Sequence, residues 1–192
     1  MRLVLASQSP YRKQLLDQLG LDFDTSPSHI DEDSFKATVS DALELTQVLA
    51  YEKAKTVFSE RPNDLIIGSD QAIILGNKIF SKPKTVEKAC EQLKELSGTS
   101  HHLISTVCLL GPDIKEEFYH KTTLTMRDLT DEEILHYVKS DMPLQCAGSY
   151  MIEKLGISLF EAIDSTDSTS IVGLPLIQLT SVLRKLGMNP LT

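Results

Sequence analysis

Ser7, Ser9, Arg12, Lys13, Lys53 and Lys82 are anion ligands by type, and Glu32 and Asp70 are carboxylates suited to holding a metal or directing a water. Together they form an inventory for phosphoryl chemistry. Cleaving a phosphoanhydride needs charge neutralised on nonbridging oxygens, a metal or cationic clamp, and an oriented water beside a carboxylate. Asp70 is the candidate for that carboxylate. Glu32 stands in Asp31-Glu32-Asp33, which taken alone reads as a solvated acidic loop. The P-loop, GxGxxG and GxSxG patterns are absent, and His29, His101, His102, His120 and His136 lack HExxH spacing.

The elements around these residues decide whether they can meet. Leu3, Val4, Leu5 and Ala6 read as a short buried strand, after which Ser9 is a good N-cap and Pro10 a good first helical residue. The helix runs over residues 10–19, with Gly20 as its C-cap. Its free N–H groups and positive dipole end would face an anion together with Ser7, Ser9, Arg12 and Lys13.

A short strand is expected over residues 22–25, an irregular polar segment over 26–40, and a long helix over 41–58. Lys53 falls on that helix's apolar face, where a lysine either snorkels to water or reaches a buried anion. Leu65, Ile66 and Ile67 form a third strand ending at Gly68, and an apolar run resumes at 72–75, so Asp70 sits at a strand junction. Further on come a helix at 85–96, a long hairpin around Gly111-Pro112, and a helix opened by the capping box Thr130-Asp131-Glu132-Glu133. A strand at 156–163 and a last helix at 174–186 complete the chain. Interleaved strands and helices interrupted by a hairpin predict an α/β fold with a mixed, twisted sheet, flanking helices and two lobes.

With 192 residues and 41% of them hydrophobic, the chain can bury one large core or two modest ones. A net charge of -8 disfavours a nucleic-acid polymer as partner but allows a small phosphorylated ligand. No apolar run approaches a membrane span, and Met1-Arg2-Leu3 lacks the features of a secretory signal, which predicts a cytoplasmic protein with no membrane partner. Cys90, Cys108 and Cys146 form no CxxC pair and are expected to be reduced and buried.

Taken in order, Leu5-Ala6-Ser7-Gln8-Ser9-Pro10-Tyr11-Arg12-Lys13, Asp31-Glu32, Ala50-Tyr51-Glu52-Lys53-Ala54, Gly68-Ser69-Asp70-Gln71, Lys82-Pro83, Cys146-Ala147-Gly148-Ser149-Tyr150 and Val172-Gly173-Leu174-Pro175 closely resemble the Maf family of nucleoside triphosphate pyrophosphatases. The resemblance spans nearly the whole chain. It implies a fold similar to the inosine triphosphate pyrophosphatases, with two lobes around a cleft, often as a homodimer. It also implies hydrolysis between the α and β phosphates, a divalent cation (Mg2+ or Mn2+), and Asp70 as proton acceptor. By motif position Ser7, Ser9, Arg12, Lys53 and Lys82 become phosphate-side residues, and Glu32 and Asp70 metal-side residues. Ser81 and Ser168 depart from the Gly and Pro common at their positions.

Tyr11, Gln71 and Glu153 resemble the members that act on 7-methyl-GTP, whereas members similar to the dTTP and UTP pyrophosphatases carry Arg at the position of Tyr11. A 7-methylated guanine is positively charged and is attracted to an aromatic face such as Tyr11 by roughly 0.5–2 kcal/mol. Its N1–H and exocyclic amine are adjacent donors that match the carboxylate of Glu153. The alternatives are a dTTP/UTP pyrophosphatase of the same family, or a nucleotide-binding regulator of cell division that does not turn its ligand over.

Overall fold

Short apolar runs bounded by turn residues become strands, and longer runs with one apolar stripe become helices. A computed structural model describes all 192 residues, Met1 to Thr192. In chain order the strands are β1 (Leu3–Leu5), β2 (Phe23–Thr25), β3 (Leu65–Leu75), β4 (Lys78–Phe80), β5 (Ser100–Gly111), β6 (Ile114–Met126) and β7 (Phe160–Asp164). The helices are α1 (Pro10–Asp17), α2 (Glu32–Lys36), α3 (Ala42–Glu60), α4 (Val86–Leu96), α5 (Asp131–Asp141) and α6 (Leu176–Lys185), with short 3-10 turns at Ala147–Ser149, Leu155–Leu159 and Ser168–Val172.

Seven strands form a sheet in the order β2-β1-β3-β5-β6-β7, with β4 paired to β3. The sheet is mixed, as expected: β1 pairs parallel with β2 and β3, while β3–β4 and β6–β7 are antiparallel. The chain divides into two compact units, one of Met1–Gln71, Ile104–His120 and Asp167–Thr192, the other of Ala72–Leu103 and Lys121–Thr166.

In the first unit, β1 lies in register with β3, Leu3 opposite Leu65 and Leu5 opposite Ile67. Alternate residues face opposite sides, so a strand covered on both faces reads as a continuous apolar run. Leu3, Leu5, Leu65 and Ile67 pack against Leu15 and Leu16 of α1 and Leu179 and Leu183 of α6. Val4, Ala6 and Ile66 pack against Ala50, Ala54 and Val57 of α3 on the other side. Gly68 allows the closest approach, since a Cβ there would stand 2.1 Å from the Ala50 carbonyl oxygen.

The second unit contains the β3–β4 hairpin around Gly76 (φ +58) and β7 against β6. The capping box at Thr130 and Glu133 is present at the start of α5. His101, Tyr150 and Phe160 form an aromatic triangle, with Tyr150 and Phe160 edge to face at 5.0 Å.

Three elements and the cysteines differ from expectation. The third strand runs unbroken through Gly68 and Asp70, because Gly68 serves close packing on α3 and does not end the strand. The expected irregular segment holds the short helix α2, opened by Asp31, whose carboxylate accepts from the Asp33 N–H at 3.2 Å. The expected strand at 156–163 begins only at Phe160, the preceding residues forming a 3-10 turn. Of the three unpaired cysteines only Cys108 is buried, Cys90 and Cys146 being half-buried.

Candidate active site

Ser9 caps α1 as its sequence suggests, accepting the Arg12 N–H at 3.3 Å, while Ser7 Oγ accepts the Ser9 N–H at 3.1 Å. The two hydroxyls thus shape the loop that follows β1. From the first turn of α1, Arg12 reaches back across the sheet, and its Nη1 donates to the Ser69 carbonyl at 3.0 Å. Burial pulls the guanidinium below its ordinary pKa, against the opposing pull of Asp70 and Glu32. Arg12 therefore shares an electrostatic neighbourhood with both carboxylates.

That neighbourhood is centred on Lys53. Asp70 follows Gly68 by two residues and so faces α3, where Ala50 and Ala54 leave room for the backbone and Lys53 stands beside them. Lys53 Nζ lies 2.6 Å from Asp70 Oδ1 and 2.7 Å from Glu32 Oε1. The Lys53 and Asp70 side chains are only 10% and 12% exposed, a degree of burial at which ionic side chains need partners. Glu32 enters from the first position of α2, and Lys36 holds it from the same helix at 3.3 Å. Burial pushes the Glu32 carboxyl up, but Lys53 and Lys36 outweigh it and bring it down to about 2.

Ser69 Oγ, the neighbour of Asp70 on the opposite strand face, is fully buried without a hydrogen-bond partner. Gln71 Nε2 is occupied, donating to Ser105 Oγ at 3.0 Å, Ser170 O at 3.1 Å and Ile171 O at 2.9 Å. Tyr11 is half-buried in the first turn of α1 beside Arg12. Lys13 engages other partners: its Nζ is 2.9 Å from Asp17 and 5.7 Å from the centre of the Phe23 ring.

Lys82 and Glu153 belong to the second unit. There the half-buried Cys146 thiol is pushed up by its burial and by Glu153, with Lys82 and Lys154 pulling the other way, so these charges lie within electrostatic reach of one thiol. Gln92 of α4 joins their two loops, donating to Ser81 O at 2.9 Å and accepting from Ser149 Oγ at 2.6 Å. Lys84 N donates to Leu144 O at 3.1 Å, closing the same junction. Sequence reasoning missed Gln92, which carries no signal beyond an ordinary helical glutamine.

No group of three or more His, Cys, Asp or Glu side chains is arranged around a metal position. The fitting donor set is the pair Glu32 and Asp70, which already converge on one cation, the Lys53 ammonium. A hard divalent cation such as Mg2+ commonly takes one or two carboxylates and completes its shell with water and substrate phosphate, so two carboxylates suit it. A separate cavity of about 660 Å3 lies by Arg2, Asp22, Asp24 and Asn189, at the opposite end of β1 from Ser7. No helix is long and apolar enough to cross a membrane.

The 7-methyl-GTP pyrophosphatase of Pseudomonas putida is 40% identical over 188 residues, covering 97% of each chain. That of Xanthomonas axonopodis pv. citri is 43% identical over 188 residues, covering 98% of each. A HAM1 protein structure from Coxiella burnetii aligns with TM-score 0.49 and 15% identity, over 96% of this chain and 99% of that one. A likeness that loose adds nothing to the strand pairing above. The family model described as Maf, Maf-like protein, matches residues 2–186, and the chain belongs to the Maf family.

Proposed function

We propose that this protein is a nucleoside triphosphate pyrophosphatase that hydrolyses the α–β phosphoanhydride of 7-methyl-GTP to 7-methyl-GMP and pyrophosphate, and so limits incorporation of a modified nucleotide. The observation that supports it most is the Lys53 ammonium held between Asp70 and Glu32 beside the loop after β1. Relatives about 40% identical over nearly the whole chain and named 7-methyl-GTP pyrophosphatase support the substrate.

The α1 N-terminus, with Ser7, Ser9 and Arg12, takes up phosphate oxygens through its positive dipole end, the hydroxyls and a guanidinium. Asp70, paired with Lys53 at 2.6 Å, orients the attacking water and accepts its proton. Lys53 balances the charge gathered between the carboxylates and the polyphosphate. Glu32 and Asp70 are the residues that would hold Mg2+ or Mn2+, which when bound would supply charge neutralisation at phosphate. Motif position assigns Lys82 to the phosphates. Tyr11 offers its ring to the cationic base, and Glu153 matches the adjacent N1–H and amine of guanine, a pair that a pyrimidine lacks.

The test is pyrophosphate release from a panel of 7-methyl-GTP, GTP, dTTP, UTP and CTP with Mg2+ or Mn2+. Fastest turnover of 7-methyl-GTP is expected. Faster turnover of dTTP or UTP overturns the substrate, and binding of intact triphosphate without products overturns the enzyme reading.

A further inference from the structure

Gln71 is the residue whose contacts differ most from a base-reading role. Its amide nitrogen reaches three acceptors, Ser105 Oγ and the carbonyls of Ser170 and Ile171, all within 3.1 Å. Ser105 Oγ in turn donates to Ser170 O at 2.7 Å, so two side chains from adjacent strands converge on one carbonyl. Recruiting that nitrogen to a nucleobase would break bonds made in a largely dry setting, where lost partners are costly.

What those bonds hold is the 3-10 turn Ser168–Val172 that ends at Gly173. Buried Asp167 anchors the turn from its other side, accepting from Thr169 N at 3.0 Å and from Ile177 N, at the start of α6, at 2.8 Å. Gly173 has φ +119, a conformation closed to ordinary side chains, and a Cβ there would stand 2.9 Å from Arg12 Nε and 3.3 Å from Arg12 Cγ. The Arg12 side chain is thus confined between the bare backbone of Gly173 and the Ser69 carbonyl that its Nη1 meets at 3.0 Å.

Ser69 and Gln71 are two residues apart on β3, so one strand sets both walls: directly through its carbonyl at Ser69, and through the turn at Gln71. We infer that Gln71 is a positioning residue for the reaction, fixing the Ser168–Val172 turn so that Gly173 and the Ser69 carbonyl hold Arg12 in place for the triphosphate. The inference rests on the proposed function, in which Arg12 is a phosphate ligand. The hydrogen bonds of Gln71 then matter through Arg12, and the nucleobase is read elsewhere.

A double-mutant cycle tests this, read as kcat and KM for 7-methyl-GTP with Mg2+ and checked by thermal melting. Arg12→Ala is expected to lower kcat/KM about 100-fold, Gln71→Leu about 10-fold, and Gln71→Leu in the Arg12→Ala background by less than about 2-fold. The loss in Gln71→Leu falls between KM and kcat in the same proportion as in Arg12→Ala. A merely structural loss would instead reduce the active fraction, lowering kcat with KM unchanged, and would multiply with Arg12→Ala; either result overturns the inference. An undiminished kcat/KM in Gln71→Leu overturns it too. If Gln71→Leu does not fold, Ser105→Ala takes its place in the cycle with the same two criteria, a loss expected in the wild-type background and absent with Arg12→Ala. Unchanged kinetics in Arg12→Ala itself would remove the phosphate role of Arg12 and the inference with it, whereas multiplying losses leave that role standing.

Discussion

Lys53 Nζ donates to Asp70 Oδ1 at 2.6 Å, joining a helix to a strand through one of the most buried ion pairs in the protein. Breaking such a pair from one side strands the other charge. Lys53→Met is therefore expected to cost on the order of 3 kcal/mol of stability and to reduce turnover at least about 100-fold. Thermal melting and pyrophosphate release check the two effects, and unchanged values in both would sink the pairing.

Gly68 sets the spacing on which that pair depends. A methyl group there would meet the Ala50 carbonyl at 2.1 Å and the Ala54 N at 2.7 Å, both backbone atoms that cannot swing away. Gly68→Ala is expected to lose about 2–3 kcal/mol as α3 is pushed from β3, seen as a Tm lower by roughly 4–10 °C. Turnover should fall along with it, because Lys53 moves with α3.

These two residues also mark how far the amino-acid sequence reveals the fold. Ser9-Pro10 announced a helix start because the cap is local, whereas Lys53 in an apolar stripe left open whether it snorkels to water or meets a buried anion, and its pairing with Asp70 decides for the second. Gly68 misled: glycine ends strands in many chains, and only the packed α3 backbone explains why it sits within one here. The short helix α2 was hidden because five residues, four of them polar and only Phe35 apolar, carry no apolar stripe, and its Glu32 is held by Lys36 and Lys53. Lys13 looked equivalent to Arg12, but one position further round the helix it reaches Asp17, four residues on. Gln71 and Gln92 were illegible as holders of loops, since their partners are backbone or hydroxyl groups distant in sequence.

Glu32 provides a test in pH. Its carboxyl is held near 2 in the folded protein against an ordinary value of 4.5, because Lys53 and Lys36 overcome the effect of burial. A depressed carboxyl contributes stability that is present above 4.5 and is lost as pH falls through about 2. Melting curves across that window should show wild type losing its advantage over Glu32→Gln as pH drops. Parallel curves would contradict the pairing.

His101 is expected to act with the opposite charge sign. Burial, then His102, depresses its pKa from 6.5 to about 4, and its Nε2 lies 3.1 Å from the Tyr150 hydroxyl. The unfolded chain binds the extra proton between those values, so stability rises with pH from about 4 to 6.5 and falls on acidification. The contribution is on the order of 3 kcal/mol, and His101→Gln should flatten it in denaturant titrations at each pH. A wild-type slope equal to the variant's would refute the assignment.

Tyr11 is expected to govern preference and not chemistry. Tyr11→Ala should reduce the ratio of kcat/KM for 7-methyl-GTP over GTP by about 2- to 30-fold, the range that a cation–π contact spans. Competition between the two nucleotides in one reaction measures that ratio, and a ratio equal to wild type would exclude the ring from recognition.

The most direct measurement is product formation from 7-methyl-GTP by wild type and Asp70→Asn side by side, with folding of the variant confirmed by melting. Wild type should release pyrophosphate and 7-methyl-GMP in equal amounts, and the variant should be slower by at least about 1,000-fold, since a carboxamide cannot take the water's proton. Release of single phosphate with 7-methyl-GDP, or an Asp70→Asn rate within a few-fold of wild type, would contradict the account.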